Sequence, residues 1–245
     1  MKKVHFFLNG KGGVGKSTKA SFFIQYLKSF STALGIDCDA SNSTLSGYKA
    51  LNIKQIKITS NDDNNTIDKS KFDNVMEQIL TSDAEHVVID SGASSFLSQM
   101  AYMVKTDTFI LLGENNFQVH IHLAIAGGDM IKDSFISVKN ILKQIQGDII
   151  YHIWLNEYFG SFINKDIHFI DTQYFKEIKP KITSTIILEK QDSDLVGKDI
   201  KKMLMNQLTF DEINTDENFS IFQKSRLKKF KEELFNNIQQ NLLIG

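Results

Sequence analysis

Gly10-Lys11-Gly12-Gly13-Val14-Gly15-Lys16-Ser17-Thr18 is the segment of this sequence whose residue types and spacing carry the most chemistry. It satisfies GxxxxGK[ST], in which glycines let successive backbone N–H groups converge on the α- and β-phosphates of a nucleotide. The anion then sits at a helix N-terminus, where orphan donors and the helix dipole both favour it. In that geometry the Lys16 ammonium bridges the β- and γ-phosphates and the Ser17 hydroxyl is a Mg²⁺ ligand. Gly10, Gly12, Gly13, Val14, Gly15, Lys16, Ser17 and Thr18 are the predicted binding loop.

Three acids and an amide stand where they would serve the same chemistry. His86-Val87-Val88-Ile89-Asp90 is an apolar run ending in a carboxylate, which after a phosphate loop places Asp90 beside the metal. Asp37-Cys38-Asp39 follows a second apolar run, and either aspartate can alternatively cap a following helix. Asn156 ends the run Tyr151 to Leu155, with an ordinary strand-end turn residue as the alternative. His120 and His122 face one way on a strand, as a zinc-binding pair would, but no matched Cys or carboxylate is recognisable near them, so the structural reading is preferred. No GxSxG elbow supports acyl chemistry.

A phosphate loop needs a strand before it and a helix behind it. Lys3 to Leu8 reads as that strand, and Ala20, Phe23, Ile24, Leu27 and Phe30 repeat with helical spacing. Further strand-like runs are Ser31 to Asp37, Gln55 to Thr59, Glu85 to Asp90, Asp107 to Leu112, Ile149 to Asn156 and Ser184 to Leu188. Amphipathic helical patterns separate most of them, at Phe72 to Leu80, Ile131 to Ile145 and Ile200 to Leu208. The alternation predicts an α/β fold of three layers, a mostly parallel central sheet flanked by helices, with the ligand at the carboxyl ends of the strands. Asn61 to Asp68 is read as a polar surface loop. Leu227, Phe230, Leu234, Ile238 and Leu242 form one helical stripe, read as a helix docked on the core, with a membrane-surface helix as the alternative.

The 245 residues carry 28 basic and 29 acidic side chains, a formal charge of -1, so no global excess holds a polyanion. With 42% hydrophobic residues the chain can bury a full core. One proline and no linker-like stretch predict a single domain over 1–245, with a helical segment from about 198 to the end packed on it. Cys38 is the sole cysteine, which excludes a disulfide framework or a four-cysteine cluster within one chain. No apolar run approaches a signal peptide or a membrane span, so a cytoplasmic protein is expected. Arg226 is the only arginine.

Lys11 adds to the loop the deviant form KGGxGK[ST], which resembles the MinD/ParA family of P-loop ATPases. The resemblance implies ATP and Mg²⁺ as cofactors and a homodimer formed on ATP binding, in which Lys11 reaches the partner's nucleotide. It makes Lys11, Lys16 and Asp39 the catalytic set, with Asp39 positioning the attacking water. Asp37 then supports a metal shell built on Ser17 and Asp90, Gly92 in Ser91-Gly92-Ala93 offers its N–H to the γ-phosphate, and Asn156 pairs with adenine. Ala40 departs from the ParA form, where proline is common.

Val4-His5-Phe6, Gly47-Tyr48-Lys49-Ala50-Leu51-Asn52, Val88 to Ser94, Trp154-Leu155-Asn156-Glu157-Tyr158-Phe159-Gly160 and Gly197-Lys198-Asp199-Ile200 are similar to the TraL-type ATPases encoded with conjugative transfer genes. That likeness covers nearly the whole chain and implies slow, partner-stimulated ATP hydrolysis in plasmid transfer, with conjugation proteins as partners. A ParA-like partition ATPase on DNA is the alternative, although one arginine disfavours bidentate guanine readout. A MinD-like protein at the membrane surface is a third reading, resting on the C-terminal helix alone. A nitrogenase-reductase-like electron donor is excluded by the single cysteine.

Overall fold

Strand β1 (Lys2–Leu8) turns Val4, Phe6 and Leu8 to one side and His5 and Phe7 to the other, and all five are buried. A strand buried on both faces belongs in the middle of a parallel sheet. The computed structural model describes residues 1–39, 44–60, 67–164 and 166–242. Among them β2 (Ala33–Asp37), β3 (Lys54–Gln55), β4 (His86–Asp90), β5 (Phe117–Ala126) and β6 (Ile149–Asn156) follow β1. A small antiparallel pair, β7 (Ile163–Asn164) and β8 (Ile167–His168), precedes β9 (Ile182–Leu188). The main sheet has the order β3-β2-β4-β1-β5-β6-β9, and every pairing in it is parallel.

The face carrying His5 and Phe7 packs on α1 (Lys16–Lys28). The Val4, Phe6 and Leu8 face is covered by α2 (Phe72–Thr81), α3 (Phe96–Lys105), α4 (Thr108–Glu114), α5 (Ile131–Gln144) and α6 (Gln173–Ile178). Beside α1 lie α7 (Val196–Met205), α8 (Phe210–Thr215) and α9 (Ile221–Leu242). The result is the three-layer arrangement that the alternation predicts.

Two expectations change. The run Asp107 to Leu112 is not a strand: α4 occupies it, burying Phe109 and Leu112, three residues apart, on one helical side. The strand is the next segment, β5, nearly all of which is buried between helices. A short apolar run fits either period, and the partner that covers it decides. Of the Gln55 to Thr59 run only Gln55 is strand, as the last residue of β3, and Thr59 makes an isolated bridge to Ile67. Ala40 and most of the Asn61 to Asp68 loop lie outside the described residues.

The C-terminal stripe docks. Leu227, Leu234, Ile238 and Leu242 are buried against the α1 side of the sheet. Arg226 Nε donates to Asp199 Oδ2 at 2.7 Å, and Gln223 Nε2 donates to Oδ1 at 2.8 Å, which locks α9 to α7 around a carboxylate only 3% exposed. No helix among the described residues is long and apolar enough to cross a membrane.

Candidate functional site

The phosphate loop begins where β1 ends. Gly13 and Gly15 have φ of +76° and +84°, a left-handed conformation that side chains with a Cβ rarely adopt. Gly15 is the N-cap of α1, and the first helical bond runs from the Lys19 N–H to the Gly15 carbonyl, so the N–H groups of Lys16, Ser17 and Thr18 are unpaired donors of the helix start. The loop is tied down on its near side. Asn9 Nδ2 donates to Ala124 O at 2.6 Å, the Lys11 N–H donates to Asn9 Oδ1 at 2.7 Å, and the Gly10 N–H donates to Ser137 Oγ at 2.9 Å. Val14 is fully buried and packs with Ala124 and Ala126.

Parallel pairing brings the acids together. Asp37 and Asp90 are register partners on β2 and β4. Asp90 is 1% exposed, and neither of its oxygens makes a hydrogen bond of ordinary geometry. Burial pushes its carboxyl up to about 7, against the pull of the neighbouring Ser17 hydroxyl and Lys16 ammonium. A buried carboxylate whose near neighbours are a hydroxyl and an ammonium is the donor set a hard divalent cation takes. Asp37 is differently occupied: Oδ1 accepts from the Asp39 N–H at 3.0 Å and Oδ2 from the Ser46 N–H at 2.8 Å. Its position fits a supporting role behind Asp90, with burial raising its pKa.

Asp39 lies against the turn after β4. A Cβ added to Gly92 would stand 2.5 Å from Asp39 Oδ1 and 3.0 Å from the Asp39 Cα. The same turn meets the phosphate loop, since a Cβ on Gly12 would touch Ala93 and one on Gly10 would press on Phe96. Lys16 is 8% exposed, its pKa lowered by burial and partly restored by Asp90 and Asp39. Lys16, Asp39 and the Asp90 to Gly92 turn, three segments far apart in the chain, therefore share one neighbourhood.

Asn156 ends β6, 9% exposed. Its Oδ1 accepts from the Tyr158 N–H at 3.2 Å, capping the turn that follows, and its Nδ2 donates to Val14 O at 3.2 Å. An amide has two donors and two acceptor sites, so one N–H and one lone pair are left over. Lys11 Nζ is paired with Asp133 Oδ2 at 3.0 Å, with the side chains 40% and 59% exposed. An exposed pair of this kind contributes about 0–1 kcal/mol, so it is readily exchanged.

The sequence did not point to Lys19, which is 1% exposed beneath the loop, its Nζ donating to Val14 O and Gly15 O. Burial, with Lys16 next, brings its pKa down to about 7. A lysine within the apolar pattern of α1 was the available signal.

His120 and His122 belong to a larger array. Trp154 Nε1, which can only donate, bonds to His122 Nδ1 at 3.0 Å, so His122 carries its proton on Nε2 and donates to His5 Nδ1 at 3.0 Å. His5 Nε2 then donates to His86 Nδ1 at 3.0 Å. A second chain runs through Ser184, His152, His120 and Gln118, with spacings of 2.7, 2.9 and 3.0 Å. Each lone pair faces the next donor, and among the described residues no group of three or more His, Cys, Asp or Glu is arranged to hold a metal ion. These histidines are buried, and their hydrogen bonds run to one another and to Trp154, Ser184 and Gln118.

No protein-family model matches the chain. Among solved structures of low identity, a ParA family ATPase from Chlorobium tepidum superposes with TM-score 0.54 at 15% identity, covering 93% of this chain and 96% of that one. A chain of the MinC:MinD cell division protein complex of Aquifex aeolicus gives TM-score 0.53 at 15% identity, over 94% of this chain and 96% of that one. These share the fold. Two Escherichia coli proteins called Protein TraL are 33% and 32% identical, over 97% and 98% of this chain and 98% of each relative. At that identity over essentially full length, on a fold shared with the ParA and MinD ATPases, the chain belongs to the TraL family.

Proposed function

We propose that this protein is a Mg²⁺-dependent ATPase of the MinD/ParA type, a single domain over 1–245 that dimerises on binding ATP, hydrolyses it slowly to ADP and phosphate, and assists conjugative plasmid DNA transfer in the cytoplasm. The observation that carries the reading is the buried Asp90 carboxylate beside Ser17 and Lys16 at the mouth of a GxxxxGK[ST] loop. The N–H groups at the start of α1 and Lys16 bind the phosphates. Ser17 and Asp90 would hold Mg²⁺, with Asp37 behind them, and the ion would supply charge neutralisation to the phosphates. Asp39 orients the attacking water, Gly92 offers its N–H to the γ-phosphate, and the spare N–H and lone pair of Asn156 meet the adenine edge.

Charge developing on the γ-oxygens calls for one more cation. Arg226 is committed to Asp199, on the α9 side of the molecule. Lys11 is in the loop, held only by an exposed carboxylate, and its release to the facing subunit's nucleotide couples dimerisation to hydrolysis. Lys11→Ala is accordingly expected to bind ATP within about threefold of wild type yet stay monomeric, losing about 10³-fold or more of the turnover. Light scattering with ATP and a rate series over protein concentration measure both. A Lys11→Ala protein that dimerises and turns over normally would refute the trans-acting lysine.

The direct partners follow from the family reading: transfer proteins of the conjugation apparatus. Pull-down with a hydrolysis-blocked Asp39→Ala variant in ATP tests this. Recovery of chromosomal or plasmid DNA alone would favour the partition reading.

A further inference from the structure

Lys19 is built into the underside of the phosphate loop in a way that packing does not require. Its Nζ donates to Val14 O at 2.7 Å and to Gly15 O at 3.1 Å. Both carbonyls already have partners. Asn156 Nδ2 donates to Val14 O at 3.2 Å, and the backbone N–H of Lys19 donates to Gly15 O at 3.1 Å. Among the described residues no carboxylate pairs with Lys19, and its closest charged influence is another cation, Lys16. A buried cation without a counter-charge is unfavourable, and a methionine would fill the same space without that cost.

The gain is on the other side of the loop. In a trans peptide the C=O and the following N–H point in opposite directions, and no peptide bond described here is cis. Drawing the Val14 and Gly15 carbonyls down onto Nζ therefore turns the Gly15 and Lys16 N–H groups up, into the concavity of the loop. The room beneath is tight: a Cβ on Gly15 would stand 3.0 Å from Lys19 Nζ and 3.1 Å from Asn156 Nδ2. Lys19 and Asn156 thus clamp one peptide from α1 and from β6, elements separated by more than a hundred residues.

We propose that Lys19 is a positioning residue for the bound phosphates: acting through the Val14 and Gly15 carbonyls, it aims the Gly15 and Lys16 N–H groups at the anion and sets positive charge behind them. The proposal rests on the nucleotide reading of the loop. It differs from a structural strut in sign. A strut predicts that Lys19→Met melts earlier and binds nucleotide as before. A positioning residue predicts the reverse, because removing the cation leaves no carbonyl orphaned.

The test is calorimetric titration of wild type, Lys19→Met and Lys16→Ala with MgATP and MgADP, alongside thermal melting without nucleotide. Lys19→Met is expected to lose about tenfold or more in affinity for both nucleotides, equivalent to one charge-assisted hydrogen bond, and to melt no lower than wild type. Unchanged affinity in Lys19→Met overturns the proposal. Should that variant not fold, Lys19→Gln, which keeps an N–H donor without the charge, is titrated instead: a loss of about threefold or more supports the proposal, and wild-type affinity overturns it. Failure of the wild type to bind either nucleotide removes the phosphate-loop reading itself, an outcome distinct from loss of Lys19's role alone.

Discussion

Lys16→Ala is expected to weaken MgATP binding by about 100-fold or more while leaving the fold intact. The size follows from two charge-assisted contacts, to the β- and γ-phosphates, each contributing about 1.5–3 kcal/mol. The second half follows from burial, which lowers the Lys16 pKa, so its charge destabilises the nucleotide-free protein near neutral pH. Removing it should leave the melting temperature unchanged or raise it slightly. Calorimetry and a thermal melt on the same preparation read both quantities. Wild-type affinity in Lys16→Ala would mean that the glycine-rich loop is a turn and no phosphate cradle, and the ATPase reading would go with it.

The second large effect is acid instability. His5, His86, His120, His122 and His152 are at most 4% exposed, and burial is the first cause lowering the pKa of each. His86 falls to about 4, His120 and His152 to about 3, and His5 and His122 well below 6.5. Between about pH 6.5 and pH 4 the unfolded chain therefore binds protons on these five residues that the folded chain refuses. Stability is fully present above about 6.5 and is lost as pH falls. Asp90 and Asp37 act in the opposite direction, because burial raises them and the folded protein keeps protons there that the unfolded chain releases.

Even with one proton set against the histidines for each of the two acids, at least about two protons are taken up on unfolding near pH 5.5, or about 3 kcal/mol lost per pH unit. That is a large share of the roughly 5–15 kcal/mol that stabilises a typical domain, so cooperative unfolding is expected in mildly acidic buffer. Denaturant titrations without nucleotide, at half-unit steps from pH 7.5 to 5, give the slope directly. A slope of less than one proton would show that the imidazoles titrate in the folded state and that their hydrogen-bonded chains tolerate charge.

What could be read from the chain alone was what is encoded locally. The loop from Gly10 to Thr18 is contiguous, and its work depends on backbone geometry that glycines and a following helix provide by themselves. The same holds for the alternation of strands and helices and for the amphipathic face of α9. The strand that ends in Asp90 was legible because an apolar run between polar segments reads as a buried strand. Asp107 to Leu112 was misread for the complementary reason: an apolar run of that length has no period of its own, and only the neighbours that bury it choose between helix and strand.

The tertiary structure decided everything that depends on register between distant segments. Pairing of β2 with β4 sets Asp37 beside Asp90, and packing of the turn after β4 brings Gly92 within reach of Asp39. The ion pair of Lys11 with Asp133 spans 122 residues, and the grip of Asn156 on Val14 spans 142. The five histidines each sit on a strand, but only the lateral order β4-β1-β5-β6 aligns them into donor-to-acceptor chains. Hydrogen bonds and ion pairs act over about 3 Å, a distance that spacing along a chain determines only within a turn or a helix, and that elsewhere is set by which elements the core brings together.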